Sequence, residues 1–167
     1  GEGAREQKFL IFIMCGALVQ NVGYLLELTA PTVEAAVTAV TVENVGSAFV
    51  PLFYCWFTYL YCSAAPPKRL LRILAIVNFF VLPTVFFNWH GLFYREVRWL
   101  TAPDGFHYVS ITYGPLYTLF MFTRIIIPYG LCMFTLARAI HVRSDRQVNR
   151  QYWTILGIST LPVIVLA

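Results

Sequence analysis

The sequence predicts an all-α integral membrane protein, an antiparallel bundle of transmembrane helices with five spans in these 167 residues. Three observations carry that expectation. Hydrophobic residues make up 59% of the chain and charged residues only 12%, against about 25% charged in an ordinary soluble domain. Such a chain lacks the charge to cover a water-facing surface, and its mean hydropathy is +0.67. Apolar runs long enough to cross a bilayer recur along it. Short basic loops separate alternate runs.

Residues 1–8 form a polar lead. The first span is 9–28. Arg5 and Lys8 precede it as they would a signal peptide, but a run of about 20 apolar residues suits a membrane span better than a signal core. Thr29-Ala30-Pro31-Thr32 is a tight turn with no basic residue. The second span, 33–61, is long enough to cross with tilt. A loop with Pro66, Pro67, Lys68, Arg69 and Arg72 leads into the third span, 70–87. Residues 88–114 are too polar to span and not basic enough for a cytoplasmic loop, and they gather Trp89, His90, Phe93, Tyr94, Trp99, Tyr108 and Tyr113. Such rings form interfacial belts, so this segment reads as an outer aromatic cap. Gly114-Pro115 ends it, because Pro suits the first turn of a helix and pushes its predecessor out of the α region. The fourth span is 115–138, a basic loop follows, and the fifth span is 151–167. No repeat or low-complexity segment interrupts the chain, so it reads as one transmembrane domain, 1–167.

Loop charge orients the bundle. Nine of the twelve basic residues (Arg5, Lys8, Lys68, Arg69, Arg72, Arg138, Arg143, Arg146 and Arg150) lie before the first span, between the second and third, or between the fourth and fifth. Arg95 and Arg98 in the cap are balanced by Glu96 and Asp104. The positive-inside rule therefore places those three loops in the cytoplasm and the cap outside, in a multi-pass protein of the cell (inner) membrane. Five crossings that begin inside end outside, so a cytoplasmic output domain needs a further crossing, and the chain reads as an excerpt. The net charge of +4 is scattered over short loops rather than gathered in a stripe, which excludes nucleic acid as a partner. Cys15, Cys55, Cys62 and Cys132 form no C-x-x-C pair. They read as small packing residues, with neither a disulfide nor a metal site.

Polar residues inside the spans are the functional candidates. Glu43, Ser47, Pro51, Tyr54, Thr58 and Tyr61 recur at steps of four and three on one helical face. Gln20, Tyr24 and Glu27 form a similar stripe, and Asn78, Tyr117 and Arg124 add polar groups from two further spans. Small polar residues commonly join helices, whereas an ionised group at depth costs about 2.5–3.5 kcal/mol and usually faces the bundle interior. Glu43 and Arg124 lie about ten residues below the outer ends of their spans, roughly 15 Å down. An ion pair between them, direct or through one hydrogen-bonded residue or water, would offset both desolvation costs. The expected site is a cavity in the outer half, walled by Tyr24, Glu43, Ser47, Asn78, Tyr117 and Arg124. Trp89, His90 and Tyr94 would form its lid. That lining suits a small amphipathic or anionic ligand. Pro51, Pro83, Pro128 and Pro162 sit inside spans, as cavity-shaping kinks or as plain packing.

The blocks Gly23-Tyr24-Leu25-Leu26-Glu27-Leu28, Val42-Glu43-Asn44-Val45-Gly46 with Pro51 following, Asn88-Trp89-His90-Gly91-Leu92-Phe93-Tyr94 and Tyr113-Gly114-Pro115 resemble the N-terminal seven-transmembrane region of bacterial and archaeal sensor histidine kinases. The resemblance covers nearly the whole chain, and it departs at Asn44, where the family often carries an aromatic residue. It implies that the five spans are helices two to six of a membrane sensor. It also implies a cytoplasmic histidine kinase, or sometimes a diguanylate cyclase, as the output module, and a homodimer formed through that module.

Other functions fit less well. A retinal-binding light sensor needs a mid-span Lys, and Lys8 and Lys68 both lie at span edges. An enzyme needs a converging nucleophile and base or a metal cluster, but His90 and His107 lie in the cap and His141 at the opposite end. No catalytic residue, metal or cofactor is expected. A transporter of ions or small molecules, or a membrane-embedded binding protein, is the runner-up, because charges at depth also mark transport pathways. Transporters often show inverted repeats and interrupted helices, and neither is visible in the sequence. The expected partners are membrane lipids and one unidentified small ligand.

Overall fold

A computed structural model describes residues 3–103, 105, 107–142 and 146–165. Asp104, Arg143 and Ala167 lie outside the described residues, as do the side chains of Arg5, Arg146 and Pro162. The chain is mainly helical, and four helical stretches are long and apolar enough to cross a membrane: Gln7–Leu28, Val33–Tyr61, Lys68–Phe87 and Pro115–Val142.

Helix α1 (Gly3–Leu28) packs on α2 (Val33–Ser47) and α3 (Val50–Tyr61). Glycines set this approach. A Cβ on Gly23 would meet the Glu43 backbone nitrogen at 2.5 Å, and one on Gly46 would meet that of Gln20 at 2.5 Å. With its small face against α2, α1 turns Leu18, Leu25 and Tyr24 outward, as a lipid-facing helix does. Thr32 caps α2 by accepting the Ala35 N–H at 3.2 Å.

The second span is not one helix. It breaks at Ala48 and Phe49, two residues before Pro51. Proline has no N–H to offer the preceding turn, so the ladder stops and α3 restarts with Pro51 in its first turn. Helix α4 (Lys68–Phe87) shows the sequence pattern plainly: Leu71, Leu74, Asn78, Val81 and Val85 are buried at steps of three and four. Phe79, Phe80, Phe86 and Phe87 of the same helix are exposed.

The cap corrects the all-α reading. After α4 the chain forms a 3₁₀ turn (Trp89–Gly91) and then an antiparallel hairpin, β1 (Tyr94–Thr101) with β2 (His107–Tyr113). Val97 pairs with Ile111 and Trp99 with Val109. These four are half-buried while their neighbours Glu96, Arg98 and Leu100 are exposed, the period-2 alternation of a strand pair. The aromatic content of the segment masks that alternation, which the Pro-Asp-Gly sequence between two β-branched runs supports.

The fourth span comprises α5 (Pro115–Met121), a π turn (Phe122–Ile126) and α6 (Ile127–Val142). The expected fifth span lies in α7 (Arg146–Val165), which starts earlier, with a polar first turn. Among the described residues, α7 is not one of the helices apolar enough to cross. Helix α6 packs on α3 and α7. Three core clusters follow the bundle from end to end. The hairpin end holds Val85, Phe93, Tyr94 and Phe120; the middle holds Leu52, Cys55, Leu74 and Cys132; the basic end holds Cys62, Leu136 and Tyr152. Three of the four cysteines pack as expected, and Cys15 is exposed on α1.

Candidate functional site

The irregular segments of two spans, with α4 between them, build one buried polar network. Its centre is Arg124, in the π turn and only 8% exposed. Pro128 cannot donate to the Arg124 carbonyl, and the Ile127 N–H instead bonds Phe122 O, one residue further back than in an α-helix. Such single π turns recur at functional sites. Nη1 of Arg124 donates to Ser47 Oγ at 2.7 Å and to Asn44 Oδ1 at 3.3 Å. Nη2 reaches Met121 Sδ at 3.4 Å, and the guanidinium carbon lies 4.7 Å from the Phe120 ring centre, a cation–π contact. Nε is buried with no hydrogen-bond partner among the described residues.

The acceptors are themselves held. Ser47 Oγ donates to Glu43 O at 2.9 Å. Asn44 Nδ2 donates to Val40 O at 3.0 Å and to the Tyr94 hydroxyl at 3.2 Å. One layer deeper, the fully buried Asn78 donates to Ala48 O, in the α2–α3 break, at 3.2 Å and accepts from Thr123 Oγ1 at 2.7 Å. The second and fourth spans are thus joined at the Arg124 level, and the third joins them at the Asn78 level.

The hairpin root closes over this network. Asn88 ends α4 in the left-handed region, φ 38°. Its Oδ1 accepts the N–H groups of Phe93 and Tyr94 at 3.2 and 2.8 Å, and its Nδ2 donates to Tyr94 O at 2.8 Å. This clasp tucks Phe93 and Tyr94 inward. Phe93 then meets Tyr94, Tyr117 and Phe120 edge to face at 4.9, 5.5 and 5.7 Å, and Tyr113 stacks on Tyr117 at 3.6 Å. Burial pushes the Tyr94 phenol above its ordinary range, although hydrogen bonds with Thr41 and Asn44 pull the other way.

Of the nine expected residues, Ser47, Asn78, Tyr94 and Arg124 meet in the network, and Tyr117 and half-buried Glu43 flank it. Tyr24, 53% exposed, is turned away by the glycine face of α1. Trp89, 55% exposed, stacks on Phe87 at 5.8 Å, and His90 is exposed beside it; the Asn88 clasp throws both outward, so Phe93 and Tyr94 form the cover. The expected direct ion pair is not formed. Among the described residues the ion pair is Arg98 with Glu96 at 2.8 Å, on the exposed hairpin. Arg124 takes neutral acceptors instead, and its route through Ser47 ends on the Glu43 carbonyl rather than the carboxylate. Of the side chains expected to wall a cavity, Arg124 and Ser47 bond each other, and Asn78 bonds Ala48 O and Thr123. Clefts of 590, 480 and 310 Å³ open elsewhere, and none is lined by any of the nine. Asn44 and Thr123 escaped sequence reasoning; the signals were Asn44 one turn before Ser47 and Thr123 beside Arg124.

No curated protein and no solved structure matches the chain. A family model described as the N-terminal 7TM region of histidine kinase matches residues 2–167. The chain therefore belongs to that family of multi-pass membrane regions, whose place in signal transduction is sensory input rather than catalysis.

Proposed function

We propose that this chain is a single membrane-embedded sensor domain that binds a small anionic or amphipathic ligand at the Arg124 network and signals to a cytoplasmic histidine kinase module. In this reading α7 crosses as a fifth, antiparallel span, the basic end faces the cytoplasm, and the output modules pair as a homodimer. The observation that carries the ligand proposal is the buried Arg124 Nε–H, a charged donor left without a partner among the described residues. Such a group is costly to bury unpaired, and an incoming carboxylate satisfies it with a charge-assisted bond. Glu43 is half-buried one turn before Ser47 on α2, and when ionised it disfavours a ligand carrying more than one negative charge.

The proposed mechanism is population shift. A ligand that competes with Ser47 and Asn44 for the guanidinium loosens the last turn of α2, immediately before the break into α3. It thereby favours one arrangement of α3 over another, as any ligand with unequal affinity for two states does.

Thermal unfolding of the purified protein with straight-chain carboxylates, from acetate to decanoate, tests the site. At least one should raise Tm of the wild type in a concentration-dependent way and leave Arg124→Met unchanged. No stabilisation of the wild type by any member, or equal stabilisation of Arg124→Met, overturns the proposal.

A further inference from the structure

We propose that a groove between α1, α3 and α4 at the basic end binds one anionic phospholipid, headgroup at the mouth and acyl chain along the helices. Two adjoining clefts form it. The first, 480 Å³, is lined by Lys8 and Phe12 of α1, Lys68 of α4, and Trp56 and Leu60 of α3. The second, 310 Å³, continues from it, since Phe9, Trp56 and Lys68 line both. It is walled by Phe49, Leu52, Phe53, Leu71 and Ala75, with Arg72 as its other cation.

The occupant follows from charge and shape together. Lys8 and Lys68 are the only lysines of the chain, and they come to one cleft from helices 60 positions apart. Among the described residues no Asp or Glu lines either cleft. Like charges in one opening repel unless an anion lies between them. The wall beyond them is aromatic and ordered: Phe9 stacks on Trp56 at 5.5 Å and Phe12 on Phe53 at 5.1 Å. A free phosphate would satisfy the ammonium groups and leave the apolar groove unfilled. A neutral detergent would fill the groove and leave the cations unmatched. A phospholipid with net negative charge fits both halves, as basic pockets between transmembrane helices do for anionic headgroups. Phosphatidylcholine would bring its own cation to the lysines. Each Lys near a membrane surface contributes about fivefold in affinity for anionic lipid. Its lysine end lies at the opposite end of the bundle from the Arg124 network, its apolar end reaches Phe49 in the α2–α3 break, and the proposal does not rest on the ligand proposed there.

Native mass spectrometry of the detergent-solubilised protein, with phosphatidylglycerol and phosphatidylcholine of equal chain length in competition, reads the preference. Wild type should retain one phosphatidylglycerol. Lys8→Gln/Lys68→Gln should lose that preference by tenfold or more at unchanged Tm, with Lys68→Gln alone intermediate. Arg138→Gln/Arg150→Gln removes the same charge outside the groove and should keep it. Trp56→Ala should weaken retention, and glycerol 3-phosphate should not compete. Equal retention of both lipids by the wild type overturns the proposal. So does equal loss in the two double variants, full retention in Trp56→Ala, or competition by glycerol 3-phosphate.

Discussion

Ser47→Ala removes the shortest bond to the buried guanidinium, at 2.7 Å between two residues each 8% exposed. Side-chain hydrogen bonds across membrane helices contribute about 0.6 kcal/mol on average and about 1.7 at most. A charged donor makes a bond roughly twice as strong as a neutral one. The loss should therefore be about 1–2 kcal/mol, above the membrane average. It stays below the upper value for a hydrogen bond to a charged group, about 3 kcal/mol, because Asn44 Oδ1 at 3.3 Å still accepts from the same Nη1. In an Arg124→Met background no charge is left to strand, and the same change should cost only a few tenths. Unfolding by sodium dodecyl sulfate in mixed micelles, followed by circular dichroism over the four variants, gives the coupling. Additivity within about 0.5 kcal/mol refutes the argument, because independent sites behave that way.

Two glycines in the spans should respond with opposite sign. Gly23→Ala forces a Cβ to within 2.5 Å of the Glu43 backbone and should destabilise by about 1–3 kcal/mol; Gly130, in α6 with nothing within 4 Å of its Cβ position, should gain up to about 1 kcal/mol as Ala, both read in the same detergent titration. Burial holds the Tyr94 proton more tightly in the folded chain than in the unfolded one. Its contribution is complete below about pH 10 and is lost as pH rises through the folded value, so wild type should lose more stability than Tyr94→Phe between neutral and strongly alkaline pH. Pro128→Ala restores an N–H to the ladder and should let the π turn anneal, shrinking the Ser47–Arg124 coupling; an unchanged coupling would show that tertiary contacts, not the proline, hold the turn.

Much of the fold was legible because span length depends on composition over long windows. Four of the five expected spans correspond to helical stretches of crossing length, and the buried stripe of α4 follows a plain helical period. The failures are local. The hairpin hid because its rings served two readings, interfacial belt and β-strand, and only the alternation around Val97 and Ile111 separates them. Tyr24 was assigned by its spacing from Gln20 and Glu27, but glycines decide which face of α1 is inside, and Gly23 lies next door. The ion pair was inferred from equal depth. Depth is legible in sequence, whereas the rotation that aims Arg124 at Asn44 and Ser47 depends on a π turn that no periodicity encodes.

Two of the four span prolines, Pro51 and Pro128, have a definite effect. Pro51 follows the α2–α3 break and Pro128 follows the π turn, and both irregularities meet at the same layer of the bundle. Asn78 and Thr123 tie the Ala48 carbonyl in the break to the π turn, while Arg124 ties the π turn to the end of α2. A regular helix would expose neither a free carbonyl nor a redirected side chain at that depth. From this layer α3 runs to the basic end, where Cys62 just after it packs with Leu136 of α6 and Tyr152 of α7. In the proposed sensor, a change in how Arg124 is satisfied therefore acts where α3 is already discontinuous. There a small rotation costs little helix hydrogen bonding, and the far end of α3 carries it to α6 and α7.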